Sequence, residues 1–242
     1  MGEKIENDDQ GLRWPPLIRG RLIKRYKRFL ADVALEDGRV VTAHCPNSGS
    51  MTGCSEPGRP VFLSEHNTPR RKLKYTWELI DMPTSLVGVN TLVPNRVVIK
   101  AAVNRQIEAL SSYTEATPEV RINSRSRLDM KLTAAGLPDC YVEVKNCTLV
   151  EEGRAMFPDA RTLRGQKHLH ELEQLHREGS RAVIFFLVQR CDAVVFSPAE
   201  AIDPDYARIL RRAAASGVEV MVYDVRIDFQ GIALNRSLPY EL

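Results

Sequence analysis

Three side chains in the middle of the chain have the types and spacing for divalent-cation chemistry: Asp129, Glu143 and Lys145. They fall in two short alternating runs, Arg127 to Leu132 and Cys140 to Lys145, around a turn rich in Ala, Gly and Pro. This pattern predicts a β-hairpin. Side chains alternate along a strand, so Glu143 and Lys145 project from one face, and pairing across the hairpin brings Asp129 beside them. Two carboxylates and an ammonium at one point suit Mg2+ or Mn2+, with a lysine poised at a water. Two other arrangements stay open. Asp129 and Lys131 also share a face, and the hairpin could be an ordinary surface salt-bridge strand pair.

The elements around the hairpin must position it. From Pro94 to Leu110 the pattern is helical, with Pro94-Asn95 as the start, Asn95 as a cap, and Val98, Ala102, Val103, Ile107 and Leu110 as the buried stripe. A strand is predicted around Glu119 to Ile122. After the hairpin, residues 161–179 read as a helix ended by Gly179. Leu169, Leu172 and Leu175 face the core, while Arg161, Arg164 and His168 share another side with Lys167 close by. Those basic residues suit phosphate, and a solvated helix face is the alternative. A buried strand at Arg181 to Gln189, a short one at Asp192 to Phe196, a helix at Asp203 to Ala215 and a last strand at Gly217 to Val225 complete the run. The order indicates a mixed α/β sheet flanked by helices. That order, with Asp129 14 positions before Glu143, matches the core of the PD-(D/E)XK nucleases.

The N-terminal third differs. Roughly five short strands within residues 17–81, joined by polar loops, suggest a small β-barrel, with the OB fold as the natural candidate. A change of pattern near Met82-Pro83 divides the chain into residues 1–83, an OB-like nucleic-acid-binding domain, and residues 84–242, a nuclease-like domain. Residues 12–83 carry 13 Lys and Arg against 7 Asp and Glu, whereas 84–242 balance at 20 against 20. A basic surface of this kind can attract an anionic polymer such as nucleic acid, with Arg70, Arg71 and Lys72 in one loop as phosphate contacts, and an ordinary solvated basic surface is the alternative. Tyr26, Tyr75 or Trp77 would stack on bases if exposed and fill the barrel if not.

The 242 residues, 43% of them hydrophobic, suit a globular protein with a real core. No apolar run approaches the roughly 20 residues of a membrane helix, and the polar, acidic start, Met1 to Gln10, reads as a frayed tail rather than a secretory signal. Five irregularly spaced cysteines without a C-x-x-C indicate free thiols in a reducing cytoplasm. His44, Cys45 and Cys54 lack the paired spacing of a zinc site.

Several segments resemble the sugar fermentation stimulation protein A (SfsA) family: N-S-G-S-M (Asn47 to Met51), V-G-V-N-T-L-V-P-N-R (Val87 to Arg96), S-R-L-D-M (Ser126 to Met130), Y-V-E-V-K-N-C-T-L (Tyr141 to Leu149), F-P-D-A-R-T-L-R-G-Q-K-H-L-H-E-L (Phe157 to Leu172) and G-V-E-V-M-V-Y (Gly217 to Tyr223). One departure is N-S-G at Asn47 to Gly49, where the family commonly has N-T-G. The resemblance implies an N-terminal OB-like domain, a C-terminal PD-(D/E)XK nuclease-like domain, non-specific DNA binding and a regulatory link to sugar use, notably maltose. Carried over by motif, Asp129 and Glu143 become metal ligands, with the Val144 carbonyl completing the shell. Lys145 then acts at the attacking water. Glu119 is an outer carboxylate, and Gln166 and Lys167 hold a phosphate at the next helix. Nucleases of that superfamily often pair, so a homodimer is an expectation, with no interface identified.

Two functions compete on this reading: a Mg2+- or Mn2+-dependent DNA endonuclease, and a DNA-binding regulator whose nuclease core only binds. Residues 203–225 show one helix and then a β-rich run rather than a helix-turn-helix. A sugar-binding reading has no motif behind it.

Overall fold

The computed structural model describes residues 11–69, 71–124 and 126–242; the tail expected at Met1 to Gln10, and Arg70, lie outside the described residues. A two-residue strand, Leu12–Arg13 (β1), comes first. Then Leu17–Tyr26 (β2), Leu30–Leu35 (β3), Val40–His44 (β4), Pro60–Glu65 (β5) and Tyr75–Asp81 (β6) pair in the order β4-β3-β2-β5-β6, and β4 closes onto β6. The result is a closed five-stranded barrel, the OB topology. Alternation fills it: Ala31, Val33 and Leu35 of β3 point inward with Val61 and Leu63 of β5. Tyr75 and Trp77 are core residues, so neither is exposed to stack on a base; the Trp77 indole N–H donates to the Leu79 carbonyl at 2.9 Å. Tyr26 is half-buried and hydrogen-bonded to Asp32. Gly20 is needed where β2 pairs closely with β3, because a Cβ there would sit 2.5 Å from Val33 Cγ1.

Leu86–Gly88 (β7) pairs with β6, so the barrel sheet continues past residue 83. The chain then enters the helix Val93–Val103 (α1) and the strands Glu115–Asn123 (β8), Ser126–Thr133 (β9) and Cys140–Cys147 (β10). Two short strands, Leu149–Glu151 (β11) and Arg154–Phe157 (β12), lead to the helix Leu163–Arg177 (α2). Next come Arg181–Val188 (β13), Val195–Pro198 (β14), the helix Pro204–Ala215 (α3), Glu219–Ile227 (β15) and Gly231–Ser237 (β16). Asp203 caps α3 by accepting the Tyr206 N–H at 3.0 Å.

The main sheet has seven strands in the order β1-β16-β15-β13-β10-β9-β8, with β10, β13 and β15 parallel. One face packs α1 over Met130, Val142, Phe185 and Met221; the other packs α2 and α3 over Ile184, Phe186 and Val222. With both faces covered, β13 is apolar along nearly its whole length. Neither β16 nor β1 was expected from the pattern. Their pairing ties the N-terminal arm to the far edge of the α/β domain, where Trp14 Nε1 donates to the Asp228 carbonyl. No helix among the described residues is long and apolar enough to cross a membrane.

Candidate active site

The hairpin of β9 and β10 forms as its alternation predicts, but its ladder stops early. Leu132, Lys131 and Met130 pair with Cys140, Tyr141 and Val142, and the next position departs from the pattern. There Asp129 puts its side chain where a backbone carbonyl would be, and its Oδ2 accepts the Val144 N–H at 2.8 Å. The two strands splay, and the gap opens onto a cleft. A strand residue's carbonyl points to the same edge as its N–H, so the Val144 carbonyl also opens on this gap. Asp129 Oδ1 is held by Asn95 Nδ2 at 2.7 Å. Asn95 is therefore not the helix cap: α1 starts earlier, with Leu92 as cap, and Asn95 lies in its first turn.

Glu143 is 2% exposed. Its Oε1 receives the Lys145 ammonium at 2.6 Å and faces His168 Nδ1, while Lys145 Nζ lies 3.4 Å from the same ring nitrogen. Its Oε2 is buried with no hydrogen-bond partner. Burial pushes the Glu143 carboxyl up, but Lys145 and His168 outweigh it and hold the group below the ordinary glutamate value. Asp129 behaves in the opposite way. Burial first, and then the neighbouring Glu143 charge, raise it to about 6 against the hydrogen bonds from Val144 and Asn95.

Among the described residues no three or more His, Cys, Asp or Glu side chains gather as a metal cage. Two carboxylates and a carbonyl still suit a hard cation that keeps several waters, as Mg2+ does. The buried oxygen of Glu143 that no protein donor reaches lies in the cleft that Asp129 also lines, so the residues fit such a cation.

The cleft is about 400 Å3 and both domains wall it. Asn95, Asp129, Glu143, Val144, Lys145, Arg161 and Arg164 come from the α/β domain; Arg28 and the loop at Asn47 to Gly49 come from the barrel. Arg25 holds that loop through the carbonyls of Asn47, Gly49 and Ser50 at 2.8–2.9 Å. Asp159, just before α2, locks it from the other side. Its Oδ2 accepts the Met51 N–H at 2.9 Å, its carbonyl accepts Ser50 Oγ, and a Cβ at Gly49 would meet its carboxylate at 2.5 Å. Neither Arg28 nor Asp159 was expected at the cleft, because nothing local in the sequence relates a barrel turn to the approach to α2.

The other predicted residues are spread out. Arg164 Nε lies 3.5 Å from His168 Nε2, and Lys167 donates to Ser126 Oγ and pairs with Glu171. Arg164, Lys167 and His168 join Arg121, Ser126 and Arg127 around a trough of about 630 Å3 beside the cleft. His168 is buried rather than on a solvated face. Arg161 is exposed and 3.5 Å from Asp205. Gln166 turns to Asp203, which also accepts the Thr162 N–H, and so anchors the loop before α2. Glu119 is outside the cleft: its backbone has φ 52°, and its side chain pairs with Arg127 at the surface. Lys131 pairs with Asp139 at 2.6 Å, which removes the Asp129/Lys131 alternative. Arg71 and Lys72 are exposed on the loop before β6.

An OB barrel fused to a mixed α/β domain with a splayed carboxylate hairpin defines a two-domain class of protein. The family model described as the SfsA N-terminal OB domain matches residues 23–89, and the one described as the sugar fermentation stimulation protein RE domain matches 92–231. The chain belongs to the sugar fermentation stimulation protein family. It is 54% identical over 225 residues to the sugar fermentation stimulation protein homolog of Geotalea daltonii, covering 93% of this chain and 97% of that one. The Pseudoalteromonas atlantica homolog is 49% identical, with 92% and 96% covered. A solved structure of SfsA from Pyrococcus furiosus in complex with Ca2+ superimposes with TM-score 0.88 at 25% identity, covering 96% of this chain and 99% of that one.

Proposed function

We propose that the protein is a divalent-cation-dependent endonuclease that binds DNA without sequence preference and hydrolyses phosphodiesters in the cleft between its two domains. The observation that carries the reading is Glu143 Oε2, buried without a partner in the cleft that Asp129 also lines. Asp129, Glu143 and the Val144 carbonyl would hold Mg2+ or Mn2+. When bound, the cation neutralises phosphate charge and makes a water more acidic. The protein's own groups do the rest. Asn95 fixes one Asp129 oxygen and the Val144 N–H fixes the other. His168 and Lys145 engage Glu143 Oε1 and leave Oε2 to the cleft. Lys145 takes or holds a proton at the attacking water and stabilises charge building on the phosphate. Arg161, Arg164 and Lys167 steady flanking phosphates, and Arg71 and Lys72 add exposed positive charge on the barrel. The Ca2+ in the Pyrococcus furiosus relative supports cation binding in this family, since Ca2+ seeks the same oxygen ligands.

The test is incubation of supercoiled and linear DNA with the purified protein, with and without Mn2+, beside Glu143→Ala and Lys145→Ala. Cleavage by the wild type alone is expected. No cleavage, or equal cleavage by the variants, refutes the reading. A second reading, DNA binding without cleavage by a regulator of sugar (maltose) use, is favoured by one observation: the basic trough is lined without either carboxylate, so phosphate binding does not require them. Salt-sensitive DNA binding by an uncleaving wild type would select it.

A further inference from the structure

The seam between the domains has a second opening. Thr91 gives its N–H and its Oγ–H to the Pro46 carbonyl, at 3.1 and 2.7 Å, and so bridges α1's approach to the barrel. Thr91 walls the cleft described above; Pro46 walls a separate cavity of about 260 Å3 on the other side of the bridge. Three parts of the fold converge on it. The N-terminal arm contributes Arg13 and Trp14, the barrel contributes His44, His66 and Arg71, and α1 contributes Arg96.

The charge in this cavity is lopsided. Its one acid, Glu78, is 5% exposed and internally satisfied: Ser64 Oγ donates to Oε1 at 2.6 Å and Asn90 Nδ2 to Oε2 at 2.7 Å. None of the described ion pairs joins Glu78 to Arg71 or Arg96. His44 titrates below the ordinary imidazole value, through burial first and then the Arg71 charge, with Glu78 opposing. Guanidinium forks match phosphate oxygens, and indole and imidazole faces stack on planar rings. The volume lies just below the roughly 300 Å3 at which small-ligand sites begin, which excludes a duplex and leaves room for no more than one small ligand.

We infer that this cavity binds a single nucleotide, its phosphate on Arg71 and Arg96 and its base against Trp14. The nucleotide is either a free nucleoside monophosphate or the phosphorylated end of a strand that crosses the Thr91 bridge into the cleft. The second source rests on the nucleic-acid reading above; the first does not.

The chain has two tryptophans, and Trp77 is sealed in the barrel core, so a ligand-dependent emission change reports on Trp14. The full-length protein, in chelator, is titrated with a deoxynucleoside monophosphate, the unphosphorylated deoxynucleoside, and oligonucleotides with and without a terminal phosphate. The monophosphate is expected to quench saturably, with the deoxynucleoside weaker by at least about tenfold. Arg96→Ala and Arg71→Ala, both surface changes, each weaken binding by about tenfold. Quenching by phosphorylated strand ends assigns the strand; quenching by free nucleotide alone assigns the small molecule. Absence of saturable quenching, or unchanged affinity in both arginine variants, overturns the inference. DNA cleavage with no quenching refutes this cavity alone; quenching without cleavage refutes the endonuclease reading alone.

Discussion

Each domain buries one glutamate beside the seam, and the two are treated in opposite ways. Glu78 of the barrel has a neutral donor on each oxygen and a closed set of hydrogen bonds. Glu143 of the α/β domain has two basic side chains crowded on one oxygen and nothing on the other. The first is how a fold buries a carboxylate for its own sake. The second leaves one carboxylate oxygen open to a donor or a cation from the cleft. The contrast separates an acid satisfied within the fold from one left open to the cleft.

The largest expected effect lies at the open acid. Glu143→Ala should lower DNA cleavage in Mn2+ by at least about a thousandfold, read by plasmid nicking, because it removes a cation ligand and the partner of Lys145. Retained cleavage would erase the contrast. The satisfied acid should answer in stability instead. Glu78→Ala leaves Ser64 and Asn90 facing a void and should cost about 2–3 kcal/mol in urea unfolding, with the cleavage rate unchanged.

Asp129 offers a test through pH. Its folded value, about 6, is above the ordinary 3.8, so the folded state binds its proton more tightly. Its contribution is intact below about pH 4 and is lost as pH rises through about 6. In chelator at pH 7.5, Asp129→Asn should therefore be the more stable protein, by about 2–3 kcal/mol, and the difference should vanish near pH 4. Added Mn2+ should raise the melting temperature of the wild type and leave that of the variant unmoved. The smallest effect is on the barrel surface. Replacing Arg71 and Lys72 with Ala should reduce the salt slope of DNA affinity by about one unit each, measured across a salt series.

The hairpin and its three polar residues were legible because strand alternation is a local signal and Asp129, Glu143 and Lys145 all lie within it. The barrel was legible for the same reason, from its short runs and polar loops. What escaped depends on distance or on a competing local cue. Asn95 carries both a cap-like sequence, after Pro94, and a partner 34 positions away; only folding shows that the partner takes its side chain. Asp159 meets Met51 across 108 positions. Trp77 and Tyr75 have the chemistry of base stacking, but β6 is buried almost throughout. β16 follows the turn at Asp228 and takes its place between β15 and β1, partners set by folding rather than by its own pattern.

The lock between Asp159 and the loop at Asn47 to Met51 also governs how the molecule comes apart. The barrel is fastened to its neighbour there, at Thr91 with Pro46, and at Gly88, whose N–H reaches the Gln189 carbonyl, while β1 reaches round to the far edge. Neither unit can melt without stripping the other of partners, so heating should give a single calorimetric peak rather than two. The cleft walled by both domains is thus bordered by the same contacts that join them, so loosening that lock should disturb the cleft and the fold together.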